Sequence, residues 1–553
     1  MLNIPNSSTR RALLWIIGAC AIAHIWCLGS QFYLDDLSQI RDSDYVRDLR
    51  YWGMGTSTWT YFCYAVQARI FGVSPIGFHA VNWLLHTATA CVLYVSARDY
   101  LRGRADEGVA LFGALLFAVH PLASEIPNYA RTQDLAWVTL FSLLAAWFLF
   151  RAMGGGGRMN LLGCALGIVA ASFSKGPGFM HAIMMTGVIG LAFTKSEHWQ
   201  LVRQKAWMAC LLAVSGLVVL WGLGLLERVA RWSDPRVIGH AYTVCRVFWE
   251  FVARSLVPIN LCADHHIAET LVPPGTLLGI ADTTALWAAL GMAAFTIVSL
   301  VLAWRKSTRI LGGCCFLFVG SMLMRLLYFI PEFMPEYRIY PGLPWFCLGV
   351  AILLAGAWQA LLEDAGRFPA ALLILVLAAM SARRSFLYHD INDLMADVLR
   401  QYPGQARAIW IMQRNDVDAG RWDQVIERHQ KQLPEVAQAF HRENKRLAPG
   451  RELPTGHFAL AEVGCAGLYA RALAKQRSPA AGLQEINRLE AYMKALHLDP
   501  KAHIGHWSNF HHAKGLVLEI AGNYQAAAEY LAIDGAPGAD RKIDLERVNR
   551  KLE

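Results

Sequence analysis

Charged residues are scarce in this chain of 553 residues: Asp, Glu, Lys and Arg together make up 17%, whereas 55% of the residues are hydrophobic. A composition this apolar excludes a large soluble enzyme. Apolar runs of about 17 to 22 residues recur over roughly the first 390 positions, and each is long enough to cross a bilayer as a helix. The sequence therefore predicts an all-α, multi-pass membrane protein.

Cysteine motifs and a basic surface are also missing. The chain has 12 cysteines, but they form no CxxC pair and only Cys465 lies outside the apolar part, so neither a disulfide framework nor a metal site of that type is indicated. The net charge of +9 comes mostly from residues between the apolar runs. Such residues report membrane topology rather than a surface for nucleic acid.

About eleven membrane spans are predicted, and the first covers Ala12–Leu28. This run follows Arg10 and Arg11 as a signal peptide would, but it lacks a clear small-residue cleavage site, so a retained helix is favoured. The half-apolar stretch 246–267 is interpreted as an interfacial or re-entrant helix. The other predicted spans are Gly77–Ala97, Val109–Val119, Leu135–Phe150, Leu161–Phe173, Phe179–Phe193, Ala206–Leu226, Ala285–Trp304, Ile310–Ile330, Leu343–Leu361 and Pro369–Ser381.

The positions of Lys and Arg predict the orientation of the spans, because short cytoplasmic connections accumulate basic residues. With the N-terminus inside, the basic clusters at 98–104 and 305–309 lie in inside connections. An odd number of spans then places Asp35, Asp36 and the C-terminal region outside. Arg384 would lie outside as well, which counts mildly against this topology.

Residues 390–553 have the composition of a soluble helical domain, whereas residues 1–389 form the predicted membrane domain. The segments DAGRWDQVIERHQKQLP (418–434) and IAGNYQAAAEYLAI (520–533) share Ala-Gly, a polar residue, an aromatic and then a helix. Glycine supplies a turn conformation that other residues resist, and the aromatic packs the two helices together. The pattern resembles tetratricopeptide repeats (TPR), and a plain helical bundle is the alternative.

Ionisable residues gather at the predicted outer ends of the spans. Such groups are costly to leave unpaired near a membrane and are candidates for function. Four segments carry them: LDD (34–36), HPLASEIPNYARTQD (120–134), SFSKGPG (172–178) and PEFMPEYRIYPGLP (331–344). They supply carboxylates at Asp35, Asp36, Glu125, Asp134, Glu332 and Glu336, and cations at Arg131, Lys175 and Arg338.

Each of these groups also has a structural interpretation. One aspartate can cap a helix, Lys175 can extend its amine to the headgroups, and Arg338 can anchor the chain at the interface. Because all four segments fall on one side, a shared site is favoured. Charges of both signs suit chemistry on a lipid-linked phosphate, where cations bind the phosphate and a carboxylate accepts a proton from an attacking hydroxyl.

The segments resemble the membrane glycosyltransferases of the GT-C superfamily. The resemblance is strongest to the eukaryotic TMTC protein O-mannosyltransferases, which join a multi-span region to tetratricopeptide repeats, and to their bacterial relatives. It rests on FYLDDLSQI (32–40), GFHAVNWLLHTATACVLYV (77–95), LLFAVHPLASEIPNYARTQDLAW (115–137), SFSKGPG, RSLVPINLCADHHI (254–267) and YRIYPGLPWFCLG (337–349). These strings occur in the family's order along the chain.

The resemblance implies roles for individual residues. Asp36 or Asp35 resembles the catalytic carboxylate, with Asp36 preferred because it lies farther from the apolar run, and Glu125 belongs to the same catalytic group. Gly176 departs from the family pattern, in which glutamate is common. The implied substrate-binding residues are His120, Arg131, Asp134, Lys175, Asp264, His265, Glu336, Tyr337 and Arg338.

The predicted activity is inverting transfer of a single sugar from a polyprenyl-phosphate donor to a Ser or Thr hydroxyl of an exported protein such as a pilin. The predicted location is a bacterial inner membrane, with the site and the repeat domain facing the periplasm, where the repeats would hold the acceptor. The expected partners are the donor, the acceptor and the bilayer, and not nucleic acid.

Other functions remain open at this point. A transferase acting on lipid-linked sugars or polysaccharides uses the same charges, and a transporter or flippase predicts charges near the middle of several spans. A non-catalytic scaffold built on the repeats is a third possibility. No cofactor has a motif, but paired carboxylates are able to hold a divalent cation such as Mg²⁺ or Mn²⁺, or to act alone.

Overall fold

The computed structural model describes residues 7–47, 55–193, 235–265, 267, 270, 283–327, 334–361, 367–403, 405–432, 457–495, 504–533 and 539–552. Within these ranges the chain is helical and contains no strand, as predicted. It divides into two compact units. The first comprises residues 1–261 and 267–390, and the second comprises residues 262–266 and 391–553.

The first unit is a bundle of helices joined by short helical turns. Its longer helices, within the described ranges, are α1 (Ser7–His24), α2 (Thr58–Phe71), α3 (Pro75–Leu101), α4 (Glu107–Val119), α5 (Gln133–Met153), α6 (Arg158–Ser174), α7 (Gly178–Val188), α8 (Pro235–Leu256), α9 (Thr283–Trp304), α10 (Arg309–Leu323), α11 (Leu343–Leu361) and α12 (Arg367–Leu387).

Six helices of the described part are long and apolar enough to cross a membrane, namely α1, α3, α5, α9, α10 and α12. Helix α4 with the turn Pro121–Asn128, bent by 53°, makes a seventh candidate if the two form one span. Helices α6, α7 and α11 coincide with further predicted spans but are shorter in their apolar part. The predicted span Ala206–Leu226 lies outside the described residues, so the total of eleven stays a prediction.

Helix α4 lies at the centre of the bundle, where it packs against α1, α3, α11 and α12. Small residues allow this close approach: a Cβ placed on Gly113 would lie 3.2 Å from the Cα of Leu348 on α11. Because successive helices reverse direction, the C-terminal ends of α1, α4, α6 and α12 meet the N-terminal ends of α3, α5 and α7. We call this the loop end of the bundle.

The chain leaves α4 at His120 because Pro121 has no N–H to donate and disfavours a helical conformation at the preceding residue. His120 is accordingly extended, with φ −69° and ψ 126°. Three short turns follow before α5 begins, and residues 121–130 are all buried. A buried irregular segment needs partners for its backbone carbonyls, since no water reaches them.

Polar side chains on α3 provide those partners. Asn82 Nδ2 donates to the carbonyl oxygens of Ile126 (2.8 Å) and Tyr129 (3.0 Å). His79 Nδ1 lies 2.9 Å from the carbonyl oxygen of Pro127. Segment 120–132 is therefore fixed by buried hydrogen bonds as well as by packing, and the polar residues within the predicted span 77–97 have a structural purpose.

The second unit consists of paired helices. Within the described ranges they are α13 (Ile391–Gln401), α14 (Ala406–Asp418), α15 (422–432), α16 (His457–Gln476), α17 (Pro479–Ala495), α18 (Ile504–Ile520), α19 (Tyr524–Ala532) and α20 (Ala539–Leu552). Helix α16 packs on α14, α17 and α18, and α19 packs on α18 and α20. Tetratricopeptide identity stays a prediction, and most of the linking string ALHLDP falls in 496–500, outside the described residues.

The two Ala-Gly turns of this unit have the same geometry. Gly420 and Gly522 have φ 71° and 77°, the left-handed conformation that glycine adopts at low cost. After Gly420, the Arg421 N–H donates to the Asp416 carbonyl at 2.7 Å, and after Gly522 the Asn523 N–H makes the equivalent bond to Leu518 at 3.0 Å. This helix-ending arrangement confirms the role predicted for glycine in these turns.

Candidate active site

The first loop carries the paired aspartates, and the two residues have different surroundings. Asp36 is fully buried, and its carboxylate accepts hydrogen bonds from the backbone N–H of Arg131 (2.7 Å) and of Tyr33 (3.3 Å). Burial raises the pKa of Asp36 above its usual range, although these N–H groups oppose the change. Asp36 therefore fastens the first loop to the segment that follows α4.

Asp35 is partly exposed. Among the described residues, its carboxylate has no hydrogen bond or ion pair. Its backbone N–H donates to Tyr129 Oη at 3.3 Å, and its backbone carbonyl accepts from Ser38 Oγ at 3.5 Å. The preceding Leu34 has φ 49°, a conformation that costs a non-glycine residue about 1 kcal/mol. Such strained residues cluster at functional sites, where the surrounding structure holds them in place.

A second feature of the loop end is a buried carboxylate between two cations. Asp134 Oδ2 lies 2.6 Å from Arg131 Nη1 and 2.8 Å from Lys175 Nζ. Arg131 Nε also donates to the side-chain oxygen of Gln39 in the first loop. The group joins α5 to the end of α6 and retains one net positive charge.

Lys175 follows the last residue of α6 and stands beside an aromatic ring. Its Nζ is 6.0 Å from the ring centre of Tyr337, and Arg338 Cζ is 5.8 Å from the same ring, both within cation–π range. Burial lowers the pKa of Lys175, and the carboxylate of Asp134 opposes that effect. Two cations thus lie close to the ring of Tyr337.

Glu125 and Glu336 are buried and connect further segments. Glu125 Oε2 accepts the backbone N–H of Tyr337 at 2.8 Å. Glu336 forms a buried ion pair with Arg384 near the end of α12. Together with Asp36, these carboxylates link the first loop, the segment after α4, the turn Glu336–Ile339 and the last helix of the first unit.

Four tyrosines, Tyr33, Tyr129, Tyr337 and Tyr388, lie between the segments that these carboxylates connect. Ring centres lie 4.5 Å apart for Tyr33 and Tyr129, 5.5 Å for Tyr33 and Tyr388, and 6.0 Å for Tyr129 and Tyr337. Tyr129 thereby contacts the backbone of Asp35 through its hydroxyl and the ring of Tyr337 through its own ring. The row of Tyr129 and Tyr337 runs from the partly exposed Asp35 to the two cations.

His120 has both ring nitrogens occupied by backbone groups. Its Nε2–H donates to the Ser255 carbonyl at 3.0 Å, and its Nδ1 accepts the Leu122 N–H at 3.2 Å. These bonds specify the neutral tautomer protonated on Nε2. His120 therefore caps the turn after α4, and the substrate-binding role expected of it stays a prediction.

Asp264 and His265 belong to the second unit. There His265 Nδ1 lies 3.1 Å from Tyr402 Oη, and Asp264 Oδ2 lies 3.9 Å from Arg407 Nε. Their predicted binding roles remain predictions. Glu332 lies outside the described residues.

Arg384 was not among the predicted site residues. In the sequence, Arg384 was noted only because a basic residue on the outer side disagrees with the predicted topology. In the structure, its side chain pairs with Glu336 inside the protein. The sequence does contain a sign of this role, because Ser381, Arg384, Ser385 and Tyr388 form a polar stripe at helical spacing at the end of a largely apolar helix. Tyr129 was likewise not singled out.

The described residues contain no group of three or more His, Cys, Asp or Glu side chains placed to hold a metal ion. Asp35 and Asp36 do not form a shared pair of ligands with free oxygens, because both oxygens of Asp36 accept backbone N–H groups. Whether a divalent cation takes part in the chemistry stays an open prediction.

These features define a membrane protein with a charged, tyrosine-lined site at one end of its helical bundle. The chain is similar to a protein O-mannosyl-transferase of Caenorhabditis elegans, with 25% identity over 353 residues. The match covers 58% of this chain and 46% of the relative, so this chain spans less than half of that protein's length. No protein-family profile and no solved structure matches the chain.

Proposed function

We propose that this protein is a GT-C type glycosyltransferase that moves one sugar from a polyprenyl-phosphate donor to a Ser or Thr hydroxyl of an exported protein. The similarity to a named protein O-mannosyl-transferase supports the class of reaction. The observation that carries the proposal is that a partly exposed carboxylate and a group of cations lie together at one end of an apolar bundle. The donor, the acceptor and the orientation in a bacterial inner membrane belong to the proposal.

Asp35 is the base in this mechanism, and Asp36 positions the loop. A general base must reach the acceptor hydroxyl, and Asp35 is partly exposed with a carboxylate that no described residue engages. Asp36 is buried and accepts two backbone N–H groups. This difference in burial supports Asp35 as the base, whereas the sequence slightly favoured Asp36.

The reaction is a direct displacement at the anomeric carbon. The acceptor oxygen attacks that carbon as its proton passes to the Asp35 carboxylate, and the bond between the carbon and the phosphate oxygen breaks. The leaving polyprenyl phosphate keeps the electron pair, and Lys175 and Arg338 lie beside Tyr337 to stabilise its charge. A single displacement inverts the anomeric configuration.

The test is to assay Asp35→Asn and Asp36→Asn separately. Each variant is purified in lipid nanodiscs and supplied with polyprenyl-phosphate sugars and a Ser/Thr-containing acceptor peptide, and the product is read by intact mass. We expect transfer by the wild type, loss in Asp35→Asn and substantial activity in Asp36→Asn. A wild type that transfers no sugar from any donor of the panel would contradict the proposed function, and an active Asp35→Asn would contradict its mechanism.

A further inference from the structure

The end of α12 contacts two segments: the first loop, which carries the paired aspartates, and the segment that follows α4. Ser381 Oγ donates to the Val119 carbonyl at 2.8 Å, and Ser385 Oγ accepts from Asn128 Nδ2 at 2.9 Å. The backbone carbonyl of Tyr388 accepts the Gln31 N–H at 3.1 Å. Helix α12 therefore forms one wall of the loop end, and Arg384 lies in the middle of the contacting stretch.

The ion pair between Arg384 and Glu336 is deeply buried, with side-chain exposures of 7% and 0%. Burying two charges removes both from water, and the attraction between them often only offsets that loss, so such a pair contributes little net stability. What it does impose is geometry, because either charge alone would be strongly unfavourable. Two apolar side chains in place of Arg384 and Glu336 would fill the same space without fixing residue 336 at one position.

Glu336 begins a single helical turn, Glu336–Ile339, which cannot hold its own position. The turn is fixed from one side by Arg384 and from the other by Glu125, which accepts the N–H of Tyr337. The ring of the next residue, Tyr337, lies 6.0 Å from Lys175 Nζ and 5.8 Å from the Arg338 guanidinium carbon. Any shift of Glu336 would therefore move the ring and the guanidinium nearest the proposed phosphate position.

We infer that Arg384 is a positioning residue, which acts through Glu336 to place Tyr337 and Arg338 for the donor's phosphate. The inference rests on the proposed function. Arg384 itself does not contact the substrate, so its loss weakens donor binding while the chemical step at Asp35 stays largely intact. The signature is a raised KM for the donor with little change in kcat.

The experiment compares Arg384→Gln and Arg384→Lys with Arg383→Gln. Arg383 is the preceding residue on the same helix turn, is exposed, and provides a matched control. In nanodiscs, Arg384→Gln should raise the donor KM about tenfold, Arg384→Lys should restore part of that loss because it keeps the charge, and Arg383→Gln should match the wild type. The double variant Glu336→Gln with Arg384→Gln, which leaves no unpaired charge, serves if the single glutamine variant does not fold.

Hydrogen exchange of backbone amides gives a readout that needs no activity. Faster exchange at residues 336–340 in Arg384→Gln, but not in Arg383→Gln, is the expected result. Unchanged donor KM and unchanged exchange overturn the inference, as does an equal fall of kcat for every variant including Arg384→Lys. If the wild type transfers no sugar while exchange at 336–340 still responds, the proposed function fails, and only the positioning of the turn Glu336–Ile339 by Arg384 stands.

Discussion

The Asp134 group at the loop end of the first unit and the Glu519 pair of the second unit use the same residue types at different depths. At the loop end, Asp134 is 1% exposed and pairs with Arg131 and Lys175. In the second unit, Glu519 on α18 is 9% exposed and accepts hydrogen bonds at 2.6 Å and 2.9 Å from Arg547, which is 37% exposed. The depth of burial distinguishes an ion pair that fixes the geometry of the site from one that lies at the surface of a helix.

The difference shows that the effect of an acidic residue on stability depends on how deeply it is buried. Breaking a buried ion pair leaves an uncompensated charge and costs about 3 to 5 kcal/mol, whereas an exposed pair contributes about 0 to 1 kcal/mol. Even neighbours differ in this way, since Asp35 is partly exposed and Asp36 is buried. The following experiments test that contrast, beginning with the largest expected effect.

Asp35→Asn should reduce sugar transfer by about a hundredfold or more, because removing a general base costs roughly 10² to 10⁴ in rate. Its melting temperature should match the wild type, since the carboxylate has no partner among the described residues. Activity by intact mass and thermal unfolding in the same detergent measure the two effects. Asp44→Asn, an exposed position in the same loop, is the control and should change neither quantity.

Asp134→Asn should destabilise the first unit by about 3 kcal/mol, because Arg131 and Lys175 lose their shared carboxylate. It should also change the pH dependence of donor binding. The pKa of Lys175 is already lowered by burial, so its charge is lost as pH rises through that lowered value. Without Asp134, which raises the pKa, the loss should occur at still lower pH.

Thermal unfolding and the donor KM, both measured between roughly pH 6 and pH 10, test these changes, because a buried amine loses its charge within that range. A pH profile that moves upward in Asp134→Asn would contradict the assigned electrostatics. Full stability in this variant would show that the cations find other acceptors.

Asp36→Ala and Asp36→Asn should differ in stability. Alanine leaves the Arg131 N–H without an acceptor and should cost about 2 kcal/mol, whereas asparagine still accepts and should cost less than about 1 kcal/mol. The raised pKa of Asp36 means that the folded state binds this proton more tightly than the unfolded state. Its contribution to stability is therefore present at low pH and declines as pH rises from the usual aspartate value through the raised one.

Asp36→Asn should remove that part of the pH dependence, which unfolding experiments at several pH values can detect. Equal stability of the alanine variant and the wild type would show that Asp36 does not fasten the first loop.

Glu519→Gln should have the smallest effect, less than about 1 kcal/mol, with sugar transfer unchanged. The pKa of Glu519 is lowered chiefly by its hydrogen bond to Arg547. Its stabilising contribution is thus present at neutral pH and lost as pH falls below the usual glutamate value through the lowered one. Unfolding of the full chain at pH 7 and about pH 4 measures this difference, and a loss as large as that of Asp134→Asn would contradict the contrast between Asp134 and Glu519.

The residues of the loop end could be anticipated in part from the sequence. Asp36, Glu125, Asp134 and Lys175 stood out because charge is rare in an apolar chain, and the structure brings all four to the loop end. Their partners could not be anticipated, because a hydrogen bond from the backbone of Arg131 or Tyr337 leaves no mark in residue type. Arg384 was missed because its partner lies 48 positions earlier in the chain.

Local chemistry in the sequence determined the helices, the apolar runs, the break at Pro121 and the glycine turns at Gly420 and Gly522. Each of these follows from hydrophobic length or from backbone conformations open to one residue type. Only the tertiary structure decided which of two adjacent aspartates is buried. Burial and pairing depend on segments distant in the chain, and a carboxylate's role is set by what approaches it in space.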